Sequence, residues 1–282
     1  MELPIKIKTN WDVDLHVHNK WSLDIPNGPK AEDYMEFAEK NKIHIGFLDH
    51  YEVLYQKKNL ECPFEDKKWV PINTFAGDNW NKYLEELDDL KNNYSFVSTG
   101  LEIDYASDDE GELSDFIKEY GSTFDFFVGT LHELERFRPV TLVSDLRALI
   151  KKHGSFKAIV EIYFDLQEKM IKSGLFTAIA HIDTIYRYCG SIIPHEDKFQ
   201  NSEYGGYTQR VIELCIENDI WIEYNLSGFR YSVNRPFPPE EMVKKNSSAK
   251  WFVGSDCHTI PTFNKFVPNI KKANALLRSL QN

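Results

Sequence analysis

The feature that most constrains the fold of this chain is an alternation between apolar runs of strand length and longer segments with helical periodicity. Such an alternation predicts parallel strands joined by crossover helices, which is the pattern of an α/β fold. Seven units can be counted. The predicted strands are Val13 to His18, Ile43 to His50, Phe96 to Asp104, Phe124 to His132, Leu175 to His181, Ile220 to Asn225 and Trp251 to Asp256.

The segments between these runs predict seven helices, and Gly154 is a point at which the longest can break into two. No internal repeat, low-complexity tract or Pro/Ser-rich linker interrupts the 282 residues, so we expect a single domain over residues 1–282. The proline-bearing stretch Tyr55 to Asn79 predicts a long loop and a candidate lid. The predicted helices are Ala31 to Asn41, Trp80 to Asn92, Leu113 to Tyr120, Val143 to Ser173, Tyr204 to Glu217, Glu240 to Asn246 and Ile270 to Leu280.

Charge and cysteine content limit the classes of partner. The formal net charge of -11 argues against a general affinity for long nucleic acid, so we expect a small substrate. The start of the chain lacks the pattern of a signal peptide, and no apolar run approaches the ~20 residues that a bilayer requires. The cysteines show neither C-x-x-C spacing nor a paired framework, which favours a reducing cytoplasm. They are Cys62, Cys189, Cys215 and Cys257.

Two histidines share one face of the first predicted strand. In TNWDVDLHVH the apolar residues alternate with Asp12, Asp14, His16 and His18, so both imidazoles project from the same side. Two imidazoles at this spacing can bind one metal ion. An ordinary polar strand face explains an isolated H-x-H equally well.

Further histidines and carboxylates recur at the carboxyl ends of the other predicted strands. In α/β barrels these ends meet at one end of the barrel, where the active site is built. His44 shares a strand face with His50 but lies about 20 Å away at the rise of a strand, so we expect a core position for it. The candidates at the strand ends are His50, Glu102, His132, His181, Asp256 and His258.

This mixture of imidazole and carboxylate donors suits Zn, Mn or Fe better than a thiolate cluster or an all-oxygen Ca or Mg site. More than four ligands implies more than one ion. A metal cluster can hold a bridging hydroxide and neutralise both the attacking and the leaving oxygens of a phosphoryl displacement, so a phosphoester is the preferred substrate. The sequence contains no G-x-S-x-G elbow, Walker A motif or G-x-G-x-x-G loop.

The motifs DLHVHNKWSLD, LDH, GLE, GTLH, AHID and GSDCH, taken in order, resemble those of the polymerase and histidinol phosphatase (PHP) superfamily. They span residues 14 to 258. The resemblance implies a distorted (β/α)7 barrel with two or three divalent ions at the carboxyl ends of its strands. The implied ligands of the first ion are His16, His18, Glu102 and Asp256; those of the second are Glu102, His132 and His181; and those of the third are Asp24, His50 and His258.

Two elements resemble the histidinol-phosphate phosphatases of this superfamily. GTLHEL is similar to their G-S-V-H, and IEYNLSGFR is similar to their E-x-N-T-S-G, with Leu226 in place of threonine. The resemblance implies a phosphomonoesterase that acts on L-histidinol phosphate, in histidine biosynthesis, through a metal-bridging hydroxide. The implied catalytic residues are Glu102, Asp256, His258 and Asp24. The proton donor to the leaving alkoxide is left open between Asp256, Asp24 and a metal-bound water.

Arginines after strand ends are candidates to bind the phosphate, because a planar guanidinium matches phosphate oxygens. Arg187 and Arg230 are best placed, although a solvated surface position explains either nearly as well, and Asn225 joins them as a candidate substrate-binding residue. Asp183 and Glu223 lie two residues from site residues on the same strand face. They are candidates to orient a ligand histidine or to bind a substrate amine.

Two alternatives remain open at this point. The same barrel can act on a nucleotide or another small phosphoester, and a metal-binding scaffold without catalysis belongs to a different class. The identity of the metal and the oligomeric state are also left open.

Overall fold

Seven parallel strands form the main sheet of this protein. Its computed structural model describes residues 10–22, 24–25, 27–51, 78–135, 138–193 and 203–280. They are β1 (Asp12–Val17), β2 (Ile43–His50), β3 (Val97–Asp104), β4 (Phe126–Thr130), β7 (Ala178–Ile179), β8 (Trp221–Asn225) and β9 (Trp251–Gly254). The sheet follows this order, so each strand pairs with the next in the list. Two further strands, β5 (Glu133–Glu135) and β6 (Arg138–Pro139), form a short antiparallel hairpin that the sequence did not predict.

The sheet curls until its last strand returns to its first. Val17 forms a parallel bridge with Cys257. The backbone N–H of Asp256 donates to the carbonyl of His16 at 2.8 Å, and that of His18 donates to the carbonyl of Cys257 at 2.9 Å. These bonds join the carboxyl ends of β1 and β9 into a nearly closed barrel. The predicted seven-unit α/β barrel is therefore confirmed.

Eight α-helices lie in the described part of the chain. They are α1 (Met35–Asn41), α2 (Asn79–Asn93), α3 (Glu110–Tyr120), α4 (Val143–His153), α5 (Phe156–Lys172), α6 (Glu203–Glu217), α7 (Glu240–Lys245) and α8 (Ile260–Leu280). In α5 the buried residues Ile159, Tyr163, Phe164 and Met170 follow helical spacing, which places one apolar face in the hydrophobic core. A smaller apolar cluster comes from the strands and fills the barrel below the site. It consists of Leu15, Leu48, Phe126, Val128, Ala178, Ala180 and Phe252.

Several element boundaries differ from the predictions, each for a local reason. The break that the sequence allowed at Gly154 does occur, and Val143 to Ser173 forms two helices, because Gly154 adopts a φ of 85° and the Ser155 hydroxyl accepts the N–H of Ala158 to begin α5. The last helix begins at Ile260 rather than Ile270 and continues through Pro268. Its extra turns bury aromatic side chains, and tertiary packing of this kind outweighs the cost of an internal proline.

The predicted strand Leu175 to His181 is paired as a strand over two residues alone, Ala178–Ile179. The chain turns at His181, whose φ is 23°, and this turn ends the strand. The predicted loop Tyr55 to Asn79 lies outside the described residues apart from its last two, and Asn79 begins α2. Among the helices of the described residues, none combines the length and apolar character that a bilayer span requires.

Candidate metal centre

The carboxyl ends of the barrel strands bring the predicted metal ligands together. His16 lies in β1, His50 ends β2 and Glu102 lies in β3, while the others follow their strands within a few residues. Seven of the nine side chains are buried, and Asp24 and His258 are more open. The nine are His16, His18, Asp24, His50, Glu102, His132, His181, Asp256 and His258.

Glu102 lies at the centre of this cluster. Its Oε2 atom is 3.1 Å from His16 Nε2 and 3.2 Å from His50 Nδ1. Its Oε1 atom is 2.8 Å from His181 Nε2 and 3.5 Å from His132 Nε2. One buried carboxylate thus contacts histidines from four different strand ends, which places it within reach of every histidine around it.

A second group of side chains surrounds Asp24, in the loop after β1. Asp24 Oδ2 lies 2.7 Å from His258 Nε2 and 3.9 Å from His50 Nε2. Asp256 connects this group to β1, since its Oδ1 is 3.3 Å from His18 Nε2. The structure therefore brings Asp24, His50 and His258 together, as the third predicted ligand set requires.

Burial and close charges shift the pKa values of the cluster. Burial, together with the neighbouring His258, lowers the pKa of His18 to about 3. Although burial acts in the opposite direction, the surrounding histidines hold the pKa of Glu102 well below its usual value. Burial acts to lower the pKa of His132, but the nearby carboxylates of Glu102 and Asp104 outweigh it and raise this pKa to about 9. At neutral pH Glu102 is ionised and His18 is neutral, which are the forms that bind metals, whereas His132 has to release a proton when it binds a metal.

The donor atoms fit divalent metal ions. Three sets have ligand atoms that all lie within 4.8 Å of one another: His18, Asp24, His50 and His258; His16, His18 and Glu102; and His50, Glu102 and His132. Within the described residues, the buried Nδ1 atom of His181 has no hydrogen-bond partner. Nitrogen and oxygen donors of this kind suit divalent metal ions.

Two further carboxylates orient the histidines. Glu223 Oε1 lies 2.7 Å from His16 Nδ1, and its Oε2 accepts the backbone N–H of His181 at 2.8 Å. Asp104 Oδ1 accepts the backbone N–H of His132 at 2.7 Å, and its other oxygen lies 3.5 Å from the Nδ1 atom of that histidine. Sequence reasoning proposed Glu223 for this place and missed Asp104. Its position two residues after Glu102, on the same strand face, was the available signal.

The other predicted polar residues have different surroundings. Asp183, a candidate to orient a ligand, instead pairs with Arg235 at 3.0 Å. Asn225 is buried, and its Oδ1 accepts the N–H and the hydroxyl of Ser227. Its Nδ2 has no hydrogen-bond partner among the described residues. Asn225 therefore keeps a donor available.

Three arginines lie near the site, and two of them are paired with carboxylates. Arg230 contacts Asp256 through both the side chain at 3.2 Å and the backbone carbonyl at 2.8 Å. Arg235 is held by Asp183. Arg187 is 6% exposed, and in the described part of the chain it has no carboxylate partner. It is the arginine that remains available for an anion.

The fold and the site together define a class of protein, the α/β barrels with a histidine and carboxylate cluster able to hold divalent metal ions. The PHP domain family matches residues 14–227, and the chain belongs to this family. Membership confirms the superfamily that the sequence motifs indicated.

Similarity extends to individual proteins over most of the chain. A histidinol-phosphatase of Bacillus subtilis (strain 168) is 23% identical over 263 residues, which cover 87% of this chain and 92% of that protein. A solved structure of a protein assigned as a histidinol phosphatase from Listeria monocytogenes has a TM-score of 0.78 at 19% identity, covering 91% of this chain and 99% of that one.

A second solved structure shares the fold at lower similarity. The histidinol phosphate phosphatase of Lactococcus lactis subsp. lactis Il1403, in complex with zinc, L-histidinol and phosphate, has a TM-score of 0.67 at 16% identity. The alignment covers 95% of this chain and 93% of that one. Both structures are similar in fold throughout the barrel.

Proposed function

We propose that this chain is a metal-dependent phosphomonoesterase that hydrolyses L-histidinol phosphate. The observation that carries the proposal is the buried Arg187, which has no carboxylate partner in the described part of the chain and lies next to a cluster of metal-binding side chains. The names of the relatives support the choice of substrate, since the Bacillus protein is a histidinol-phosphatase and the Lactococcus structure holds L-histidinol and phosphate.

Arg187 lies close enough to the cluster for its positive charge to act on His132, where it favours a lower pKa. Its Nη2 and Nε atoms donate to the Thr184 hydroxyl at 2.7 and 3.2 Å, and its guanidinium stacks 4.4 Å from the ring centre of Tyr231. A buried guanidinium group without an acidic partner is unfavourable. A phosphate group would supply the missing charge and accept the remaining N–H donors.

We propose that nine side chains hold two or three divalent ions, with Zn, Mn or Fe as the candidates. Glu102 would bridge two ions, and Asp24, His50 and His258 would bind a further one with His18 beside them. When bound, such ions lower the pKa of a water molecule toward neutrality and neutralise the attacking and leaving oxygens of a phosphoryl displacement.

The two outer carboxylates are better suited as ligands than as proton donors. Burial acts to raise the pKa of Asp24, but the neighbouring His258 and His50 hold this pKa below its usual value. Burial acts to raise the pKa of Asp256 as well, but Arg230 and His18 hold this pKa well below its usual value. Both are ionised at neutral pH, and added cations would lower these pKa values further. We therefore propose that the leaving alkoxide takes its proton from water.

The test is phosphate release by the purified chain after its metal content has been measured. We expect bound divalent metal and a higher kcat/KM for L-histidinol phosphate than for sugar phosphates, mononucleotides or a phosphodiester. Preference for the diester or for a nucleotide would overturn the proposed substrate. Absence of both metal and turnover would favour a scaffold.

Two broader assignments complete the proposal. We propose one PHP-type domain over residues 1–282 and a location in the cytoplasm. The free, buried thiols of Cys215 and Cys257 support a reducing compartment.

A further inference from the structure

Ser22 contacts three of the candidate metal ligands with a single oxygen atom. It lies in the loop after β1 and is fully buried. Its Oγ atom is 3.0 Å from His18 Nδ1, 3.0 Å from Asp24 Oδ1 and 3.1 Å from the backbone nitrogen of His50. These ligands come from three separate segments: the end of β1, the loop that follows it and the end of β2.

The directions of these hydrogen bonds follow from the chemistry of the groups. A hydroxyl donates one hydrogen bond and accepts two. The Asp24 carboxylate can only accept and the His50 backbone N–H can only donate, so the third contact requires His18 to donate its Nδ1–H. This arrangement satisfies Ser22 completely. It also leaves the lone pair of His18 on Nε2, the atom that faces His16 and Asp256.

We propose that Ser22 is a positioning residue for the metal group formed by His18, Asp24, His50 and His258. It fixes the tautomer of His18, the carboxylate of Asp24 and the backbone that carries His50. Ser22 positions His258 through Asp24, because His258 Nε2 lies 2.7 Å from the other carboxylate oxygen of Asp24. The inference rests on the proposed metal centre and adds a residue that binds neither metal nor substrate.

The experiment compares Zn²⁺ binding by the wild type and Ser22→Ala, using metal analysis and competition with a chelator. Loss of contacts behind metal ligands typically lowers metal affinity about 10- to 100-fold, so we expect one ion to be weakened to this extent while the others stay bound. Substitution with Co²⁺ adds a spectroscopic signature. The visible absorption of the weakened site should change because the ligand geometry changes.

A matched control is available at the other end of the barrel. Ser98 is also buried and lies 2.7 Å from a histidine, His44, outside the cluster. Ser98→Ala removes a comparable contact and should leave Zn²⁺ affinity and the Co²⁺ spectrum unchanged. Ser22→Gly provides a second test variant with the same expected loss, because it also removes the hydroxyl group. Either folded variant decides the question.

The outcomes separate the two proposals. If the wild type binds no Zn²⁺, the metal centre and the role of Ser22 both fail. If the wild type binds its ions and the folded Ser22 variants bind them with equal affinity and an equal Co²⁺ spectrum, the role of Ser22 alone fails.

Discussion

Glu223→Gln removes one charge from the base of the metal centre while keeping the shape of the side chain. Glu223 is fully buried and uses both oxygens, one facing His16 Nδ1 and the other accepting the backbone N–H of His181. A glutamine offers one oxygen and one NH₂ group. Whichever way the amide turns, its NH₂ group faces either the Nδ1–H of His16 or the backbone N–H of His181, and both of these are donors.

The size of the effect follows from what the two contacts hold. The backbone of His181 has a φ of 23°, a conformation that costs energy for a residue with a side chain and needs support from its surroundings. A hydrogen bond to a charged group contributes about 1.5 to 3 kcal/mol. At about 1.4 kcal/mol per tenfold change, this range corresponds to a loss of roughly 10- to 150-fold in metal affinity. Measured effects of residues behind metal ligands are of the same order, about 10- to 100-fold.

The assay is chelator competition for Zn²⁺, combined with turnover at limiting and at excess metal. We expect Glu223→Gln to bind Zn²⁺ about 10- to 100-fold more weakly and to regain part of its activity when the metal is raised. Glu135→Gln is the matched control, since Glu135 also lies 2.8 Å from a histidine, His153, but contacts none of the candidate metal ligands in the described part of the chain. Wild-type affinity in Glu223→Gln would refute the orienting role of this carboxylate.

Three further predictions concern neighbouring positions. Gly254→Ala should mimic the loss in Zn²⁺ affinity of Glu223→Gln, because an added Cβ atom would overlap the Glu223 carboxylate; unchanged chelator competition would contradict this. Glu102→Gln should abolish turnover and lower the measured metal content while circular dichroism shows the fold intact, and a nearly active variant would contradict the cluster assignment. Arg187→Ala should raise the inhibition constant of inorganic phosphate about 10-fold or more at unchanged metal content, because a charged hydrogen bond is lost; an unchanged constant would exclude phosphate binding by Arg187.

The elements that could be predicted are those in which local pattern and tertiary packing agree. All seven strands of the barrel follow apolar runs that are long enough to stand out from the helices between them. β7 was predicted too long because its pairing ends where the backbone turns at His181, and backbone turns of this kind leave no periodic signal. α8 was predicted too short because Pro268 argues locally against a helix that burial of Phe263 and Phe266 favours. The β5 and β6 strands are too short to show any alternation.

In the site, the predictable residues are those whose place depends on strand position alone. Glu102 and His132 could be assigned from sequence because the end of a parallel strand fixes where a side chain goes. The contacts of Ser22 could not, since three segments must fold before one hydroxyl meets three groups. The choice among the arginines is also tertiary: Arg187 and Arg230 both follow strand ends, yet a carboxylate from another segment holds Arg230 and no described carboxylate holds Arg187. Sequence position therefore identifies which side chains reach the site, whereas the pairing of charges decides which of them remain available to bind a substrate.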